Sequence, residues 1–450
     1  IYQKPLLKKS ATYGLSVLYI IVGVIMSRGG VQVAPANISF AFFGNQMPLN
    51  YAAVNNSWNF IFTLLNGQED EDIQSFRYFK NAEAQFQTEF GDSSITPQIV
   101  KGEKPNIVII LMESFTANLV GACGAKEDYT PQFNAMAKEN ILFANAYASG
   151  NRTEKGLAAV ISGFPAQATA SIVTLPSKAQ KLPSIFKVLK KQGYHSTFYY
   201  GGETEFANMK AYLLNSGVDK INSSFNYPTV APRGKWGVHD EFMFAQLANE
   251  IKTSQEPFCK MLLTLSSHEP FDYPNSQAGE NAAPINFRNS ISYTDSCLGV
   301  FWQNVKNTTN TLFVFMADHG RIIEKSEADQ IPMVNRMPIL LAGEVLKKNW
   351  KGKTWQHAIN QHHFPSNLFQ ICGILDDDIS FQFQGNWFNP EQWAYFTYYN
   401  GAGITNGNQW GKYDNELKNG FVHPHGQDSS QMIHLSQLYQ QRVMEEFVKK

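Results

Sequence analysis

Between residues 105 and 345, short unbroken apolar runs alternate with longer segments of helical periodicity. NIVIILM (106–112) is a continuous apolar run rich in Ile and Val, and KMLLTLSS (260–267), TLFVFMA (311–317) and MPILLAG (337–343) read as further buried strands. Such runs are how strands buried on both faces read. A further strand is predicted at 195–200, after a helix in LPSIFKVLKKQG that stops at Gly193. TPQFNAMAKEN (130–140) predicts a helix with Thr130 as cap and Pro131 in the first turn, and FRNSISYTDSCLGVFWQNVKN (287–307) predicts a long one. Helices set between short apolar strands imply an α/β fold: a mostly parallel central sheet sandwiched by helices. Ligands of such sheets collect at the carboxyl ends of the strands.

The flanks follow other patterns. From Lys9 to Arg28 the chain runs through about eighteen uncharged residues, near the lower limit for a membrane span. Three readings fit it: the last span of a truncated membrane protein, a buried core helix, or the relic of a signal sequence. Residues 28–103 read as a juxtamembrane connector, with a helical stretch around Tyr51–Leu65 and an acidic knot, QEDEDI, at 68–73. Beyond Asp378 the chain turns aromatic and Gly/Asn-rich, predicting a hairpin region and then a polar helix. The expected organisation is the end of a transmembrane segment at 1–27, the connector at 28–103, a catalytic domain at 104–385, and a C-terminal hairpin and helix region at 386–450 packed on it.

Composition narrows the class. Of 450 residues, 43% are hydrophobic and 13% aromatic, which excludes disorder and permits a large core. The net charge of −1, with no long basic run, argues against a nucleic-acid partner. Cys123, Cys259, Cys297 and Cys372 are scattered without a CxxC pair, so they form neither a zinc framework nor a disulfide scaffold.

The chemistry gathers just after the apolar runs. NIVIILM ends in Glu113-Ser114, TLFVFMA in Asp318-His319-Gly320, and KMLLTLSS in His268-Glu269-Pro270. Two carboxylates and an imidazole on one rim make a mixed O/N site suited to Mn²⁺, Zn²⁺ or Mg²⁺. Glu113 alone could equally cap a helix, and His268 alone could be a hydrogen-bonded structural histidine. SGNRTEKGLAAVISGFP (149–165) predicts a helix that Ser149, Asn151 or Thr153 could cap. Thr153 has a second possible role. A hydroxyl is a weak nucleophile until a base or a metal activates it, and a threonine opening a helix beside such a rim could serve as cap and nucleophile together.

In combination, NIVIILMESF, TPQFNAMAKENILFANAYASGNRTEKGLAAVISGFP, TLSSHEPF and FMADHG resemble the lipoteichoic acid synthase and phosphoglycerol transferase family, within the alkaline phosphatase and sulfatase superfamily. The resemblance runs from about Asn106 to Gly373. It implies Glu113, Thr153, Asp318 and His319 as ligands of one Mn²⁺-like ion (Zn²⁺ or Mg²⁺ being alternatives), with Thr153 also the nucleophile. His268 would bind the phosphate or protonate the leaving oxygen, and the Trp236-Gly237 pair of GKWGVHDE would line the glycerol-phosphate pocket. The family commonly has an Arg close after that Trp. Val238 and His239 stand there instead, so Arg152 or Arg233 would have to supply the charge. The His362-His363 pair replaces the family's Asp, as a second metal site or a hydrogen-bonded loop. No Cys/Ser-x-Pro-x-Arg modification motif occurs at the nucleophile, which disfavours a sulfatase proper.

The resemblance implies a phosphoglycerol transferase that takes glycerol phosphate from phosphatidylglycerol through a threonine-linked intermediate. The acceptor would be an envelope glycan or lipid, and diacylglycerol would leave. The location implied is a bacterial cytoplasmic membrane, with the catalytic domain outside the cytoplasm. The rivals are a phosphoethanolamine transferase or phosphodiesterase of the same fold, and a non-catalytic envelope-assembly protein.

Overall fold

The computed structural model of the chain describes residues 9–31, 35–66, 76–92, 94–274, 276, 283–322, 332–374, 380–390, 392–424 and 429–450. The acidic knot at 68–73 lies outside them. Nine strands form the central sheet: β1 (Asn106–Met112), β2 (Ile141–Tyr147), β3 (His195–Tyr200), β4 (Lys220–Asn222), β5 (Phe258–Leu263), β6 (Thr311–Ala317), β7 (Arg336–Ala342), β8 (Thr354–Trp355) and β9 (Ile359–Asn360). Their order is β4-β3-β5-β1-β6-β7-β2-β8, and β9 pairs with β2.

β1 lies at the centre, parallel to β5 on one side and to β6 on the other. Every residue of β1, β5 and β6 is buried, which explains their largely apolar sequences; Lys260 of β5 is the charged exception and pairs with Glu250 at 3.6 Å. β7 alone runs antiparallel, to β6 and to β2, so β2 regains the direction of β1. The carboxyl ends of β1, β2, β3, β5 and β6 therefore share one rim.

The strands at 195–200 and 311–317 fall where the apolar runs predict them; β5 begins two residues before its predicted start and ends at Leu263. The predicted helix at Tyr51–Leu65 is two helices, Met47–Ala52 and Asn56–Asn66. Asn55 Oδ1 accepts the Trp58 N–H at 3.0 Å and so starts the second one afresh. Thr130 stands at the cap of the Pro131–Glu139 helix without a side-chain cap bond. The Asp295 carboxylate, from the Ala283–Val305 helix, instead accepts the N–H groups of Gln132 and Phe133 at 2.9 and 2.8 Å. The C-terminal region is larger than a hairpin. β10 (Ala394–Tyr398), β11 (Gly401–Thr405), β12 (Trp410–Asp414) and β13 (Asn419–His423) form an antiparallel meander, followed by the Ser429–Lys449 helix.

Residues Lys9–Arg28 form a helix whose apolar side chains stand out in the open, with Val17, Leu18 and Ile20 more than half exposed. That excludes the buried core helix. Among the described residues no helix is long and apolar enough to cross a membrane. All four cysteines are buried free thiols.

Candidate metal and nucleophile site

At the carboxyl end of β1 the chain turns sharply. Ser114 takes a φ of 54°, a left-handed conformation that a side chain makes costly. That turn lets Ser114 make two bonds at once. Its Oγ donates to Glu113 Oε1 at 2.8 Å, and its N–H donates to Asp318 Oδ1 at 3.0 Å. One residue thus fixes the carboxylates of two neighbouring strands. The Glu113 N–H is held by Thr264 Oγ1 at 2.8 Å, just past the end of β5. Gln361 Nε2 donates to the carbonyls of Ala317 and Asp318, each at 2.8 Å, and so fixes the end of β6. None of these supports is legible in the sequence, because each is an ordinary polar residue until the strands align.

Glu113, Asp318 and His319 are buried, and their ligand atoms lie within 4.8 Å of one another. His319 Nε2 stands 3.4 Å from Glu113 Oε1 and 3.5 Å from Asp318 Oδ2. The other ring nitrogen, Nδ1, is 2.8 Å from the Gly320 carbonyl, so it donates there and turns Nε2 toward the carboxylates. Burial and the neighbouring Glu113 charge push Asp318 up to about 8. Burial works against a charged His319, yet the Asp318 and Glu113 carboxylates raise it to about 10. Burial also opposes ionisation of Glu113, but its bond to His319 and the His319 charge outweigh that and hold it low.

Two carboxylates in one buried space thus compete for a single proton. Asp318 Oδ2 is fully buried and has no hydrogen-bond partner. An orphaned carboxylate oxygen, a second carboxylate and an imidazole nitrogen that converge on one point are a donor set that fits a divalent cation, which would displace the His319 Nε2 proton.

Thr153 reaches the same point from β2. Its Oγ1 donates to Glu113 Oε2 at 3.0 Å, across 40 residues of sequence. It is the first residue of the Thr153–Ser162 helix and does not cap it. Arg152 occupies the cap position, in extended conformation and without a side-chain cap bond. The expectation that Ser149, Asn151 or Thr153 caps this helix is therefore corrected, since the Thr153 hydroxyl is directed at Glu113. Ser149 braces the loop instead. Its Oγ accepts the Ala166 N–H at 3.0 Å, while its carbonyl accepts from Thr397 of β10. The C-terminal meander thereby supports the segment that delivers Thr153.

Gly156, one turn into this helix, packs against the backbone of Asp318. A methyl group there would stand 2.3 Å from the Asp318 carbonyl oxygen, well inside van der Waals contact distance. Gly156→Ala is therefore expected to push Thr153 away from the cluster. The expected cost is about 1–3 kcal/mol of stability and roughly 100-fold in turnover. Thermal melting and steady-state rates measured side by side check this, and unchanged rates would mean that Gly156 does not position Thr153.

Beside the cluster, the β3–helix loop carrying Gly201 and Gly202 crosses the Trp236-Gly237 segment. Gly237 adopts a φ of 152°, and a Cβ on it would strike the Gly201 carbonyl, so the crossing needs glycine. The crossing brings Trp236 over the rim, where its ring meets His268 at 4.6 Å and Phe206 at 5.1 Å. Both polar rings share one anchor. Trp236 Nε1 donates to the Glu269 carbonyl at 2.6 Å, and His268 Nδ1 is 3.0 Å from the same oxygen. His268 Nε2 is thereby left to carry any exchangeable proton, and the His268 charge reaches Glu113 and helps hold its pKa down. The Glu269 carboxylate pairs with Arg321 at 3.1 Å, two residues past His319. Arg321 in turn lies over the rings of Phe271 and Phe287.

The two arginines singled out from the sequence stand differently. Arg233 Nη2 donates to the carbonyls of Ser224 and Tyr227, within its own loop. Arg152 is exposed beside Thr153. Val238, where an Arg was expected, is fully buried. Among the described residues this rim also carries Arg321, which no sequence pattern singled out although it directly continues the Asp318-His319-Gly320 motif. Tyr200 was missed as well: burial and the charges of Glu113 and Asp318 raise its pKa and keep it a neutral phenol. His362 and His363 are buried, and His362 Nε2 is 2.7 Å from Tyr439 Oη. Burial depresses both, His363 to about 3, so they are neutral. Among the described residues they join no cluster of three ligands.

The profile of the sulfatase family matches residues 105–371. The Bacillus subtilis (strain 168) protein named lipoteichoic acid synthase-like YvgJ is 23% identical over 233 residues, 49% of this chain and 37% of that relative. Phosphoglycerol transferase I of Xanthomonas campestris pv. campestris (strain B100) is 26% identical over 146 residues, 29% of this chain and 21% of that relative. The matches thus span little more than a third of the length of these relatives at most. A crystal structure of a protein in the alkaline phosphatase superfamily from Vibrio parahaemolyticus superposes with a TM-score of 0.68 at 24% identity, covering 84% of this chain and 96% of that one. At that identity the likeness is one of fold.

Proposed function

Because the chain belongs to the sulfatase family, we propose that it is a metal-dependent phosphotransferase that moves glycerol phosphate from phosphatidylglycerol to an envelope glycan or lipid. The observation that carries this reading is the Thr153 hydroxyl, 3.0 Å from Glu113 Oε2 within the cluster of Glu113, Asp318 and His319. The names of the two relatives described above support a phosphoglycerol transferase.

Glu113, Asp318, His319 and Thr153 would hold one divalent cation, and their O/N donor set suits Mn²⁺, with Zn²⁺ or Mg²⁺ as alternatives. When bound, that ion supplies Lewis-acid stabilisation of negative charge on the hydroxyl oxygen and on the phosphoryl group. Thr153 Oγ attacks phosphorus while the bond from phosphorus to the diacylglycerol oxygen breaks. Glu113, already hydrogen-bonded to the hydroxyl, orients it and is the nearest base for its proton. The leading N–H groups of the Thr153–Ser162 helix face the transferring phosphoryl group. His268, fixed through Nδ1 on the Glu269 carbonyl, uses Nε2 to bind the phosphate or to protonate the leaving oxygen. In a second attack the acceptor oxygen bonds to phosphorus as the Thr153 Oγ–phosphorus bond breaks; His268 Nε2 takes the acceptor proton, and the proton held by Glu113 returns to Thr153. The setting we infer is the outer face of a bacterial cytoplasmic membrane, where donor and acceptor meet.

A second head group, ethanolamine, is favoured by one observation: Asp272 lines the cleft at Trp236, and Glu269, whose carbonyl holds the Trp236 ring, stands beside it. Arg321 offsets Glu269 and supports glycerol phosphate instead. Intact-protein mass spectrometry after incubation with Mn²⁺ and each phospholipid tests the choice. A glycerol-phosphate adduct is expected; an ethanolamine-phosphate adduct would keep the mechanism and replace the donor. No adduct and no diacylglycerol release with either lipid would overturn the reading. Trp236→Ala is expected to raise the donor KM roughly tenfold without loss of metal. An unchanged KM would take Trp236 out of the pocket.

A further inference from the structure

From Gly29 to Gln68 the chain contains no Asp, Glu, Lys or Arg. Part of this stretch is docked on the catalytic body: Ser39, Phe42 and Asn50 are fully buried, and Ser39 Oγ accepts the Ala211 N–H at 3.1 Å. Its outward positions, however, are not polar. Phe40, Phe43 and Leu49 are 45%, 65% and 51% exposed. On the next helix, Asn56–Asn66, Phe60, Ile61 and Leu64 are 64%, 56% and 66% exposed. Single apolar residues on a surface are ordinary, whereas a succession of them with no charge between is not. This surface also adjoins the pocket. Asn37 Nδ2 donates to the Glu205 carbonyl at 2.7 Å, and the next residue, Phe206, packs on Trp236.

We propose that this uncharged aromatic face seats the protein on a lipid bilayer, with the Trp236 pocket at the level of the head groups. The proposal rests on the reading that the donor is a phospholipid. Two features favour lipid over a protein partner. A protein interface surrounds its apolar core with a polar rim that includes arginines, and this stretch supplies no charged residue of either sign. The preceding helix, Lys9–Arg28, exposes Val17, Leu18, Tyr19 and Ile20 in succession, hence on all sides. A one-sided protein groove cannot cover such a helix, and lipid can.

The test uses the full chain with Phe40→Ser, Phe43→Ser and Leu49→Ser combined, and a second variant with Phe60→Ser, Ile61→Ser and Leu64→Ser. Co-sedimentation with phosphatidylcholine–phosphatidylglycerol vesicles and turnover of the vesicle donor are measured first. Turnover of dihexanoyl phosphatidylglycerol, kept monomeric in solution, is measured second and reports on folding as well. Turnover of the vesicle donor is expected to fall roughly tenfold or more in at least one variant, with the soluble donor used as by the wild type. Vesicle binding and vesicle turnover equal to wild type in both variants would overturn the proposal. So would a wild-type dimer that the variants dissociate while vesicle turnover stays unchanged, because a second copy would then be the occupant. If the wild type turns over neither donor but the variants lose vesicle binding, the seat stands and the phospholipid-donor reading fails.

Discussion

Thr153→Ala is expected to lower turnover by roughly 10⁴-fold or more, as removal of a covalent nucleophile does. The expectation rests on geometry. The Thr153 hydroxyl opens the Thr153–Ser162 helix without capping it, and its one hydrogen bond goes to Glu113 Oε2. Alanine has higher helix propensity than threonine and removes no cap, so the helix should persist. On the proposed site Glu113, Asp318 and His319 would remain as three ligands, so metal binding should weaken but survive. Thr153→Ser keeps the hydroxyl and is expected to retain much of the activity and to form the phosphoryl adduct by mass spectrometry. If Thr153→Ala turns over the donor like the wild type, the nucleophile lies elsewhere. Equal loss in the serine and alanine variants would assign Thr153 a packing role only.

The second large effect concerns Asp318. Mn²⁺ is expected to raise the melting temperature of the wild type, and Asp318→Asn should abolish that rise, because the amide would replace an ionised ligand with a neutral one. The fold itself should not suffer. Asp318 Oδ1 accepts the N–H groups of Ser114 and His319, and an asparagine carbonyl can accept both.

The metal-free protein gives this prediction a pH signature. Asp318 is raised from its ordinary 3.8 to about 8, so the folded chain keeps a proton that the unfolded chain releases near pH 4. The folded state then binds more protons, and stability falls as pH rises from about 4 to 8. His319, raised from 6.5 to about 10, acts in the same direction over that higher range. Asp318→Asn should flatten the lower part of this slope and melt no lower than the metal-free wild type at pH 8. A metal-dependent rise retained in full, or a variant that melts lower throughout, would sink the assigned site.

Much of this site is legible in the chain because of where its residues stand relative to apolar runs. Glu113 follows NIVIILM and Asp318-His319 follow TLFVFMA, and in a parallel sheet those positions converge at one rim. Thr153 is ambiguous for a physical reason: threonine before an apolar helix is also what a cap looks like, and only the direction of its side chain separates the two roles. Arg321 and its pairing with Glu269 escape notice because an ion pair between residues far apart in sequence has no periodic signature.

The order of residues along the chain is enough to give the α/β class, the positions of the buried strands and the residue types on their ends, since burial on both faces forces continuous apolar runs. The remaining features come from packing in three dimensions. The antiparallel insertion of β7, the left-handed turn at Ser114, the Gly156 contact that brings Thr153 to Glu113, and the two-glycine crossing that sets Trp236 over the rim all depend on backbone approach between segments far apart in sequence. Such approaches are set by where several elements pack at once, and no local pattern of hydrophobic and polar residues encodes them.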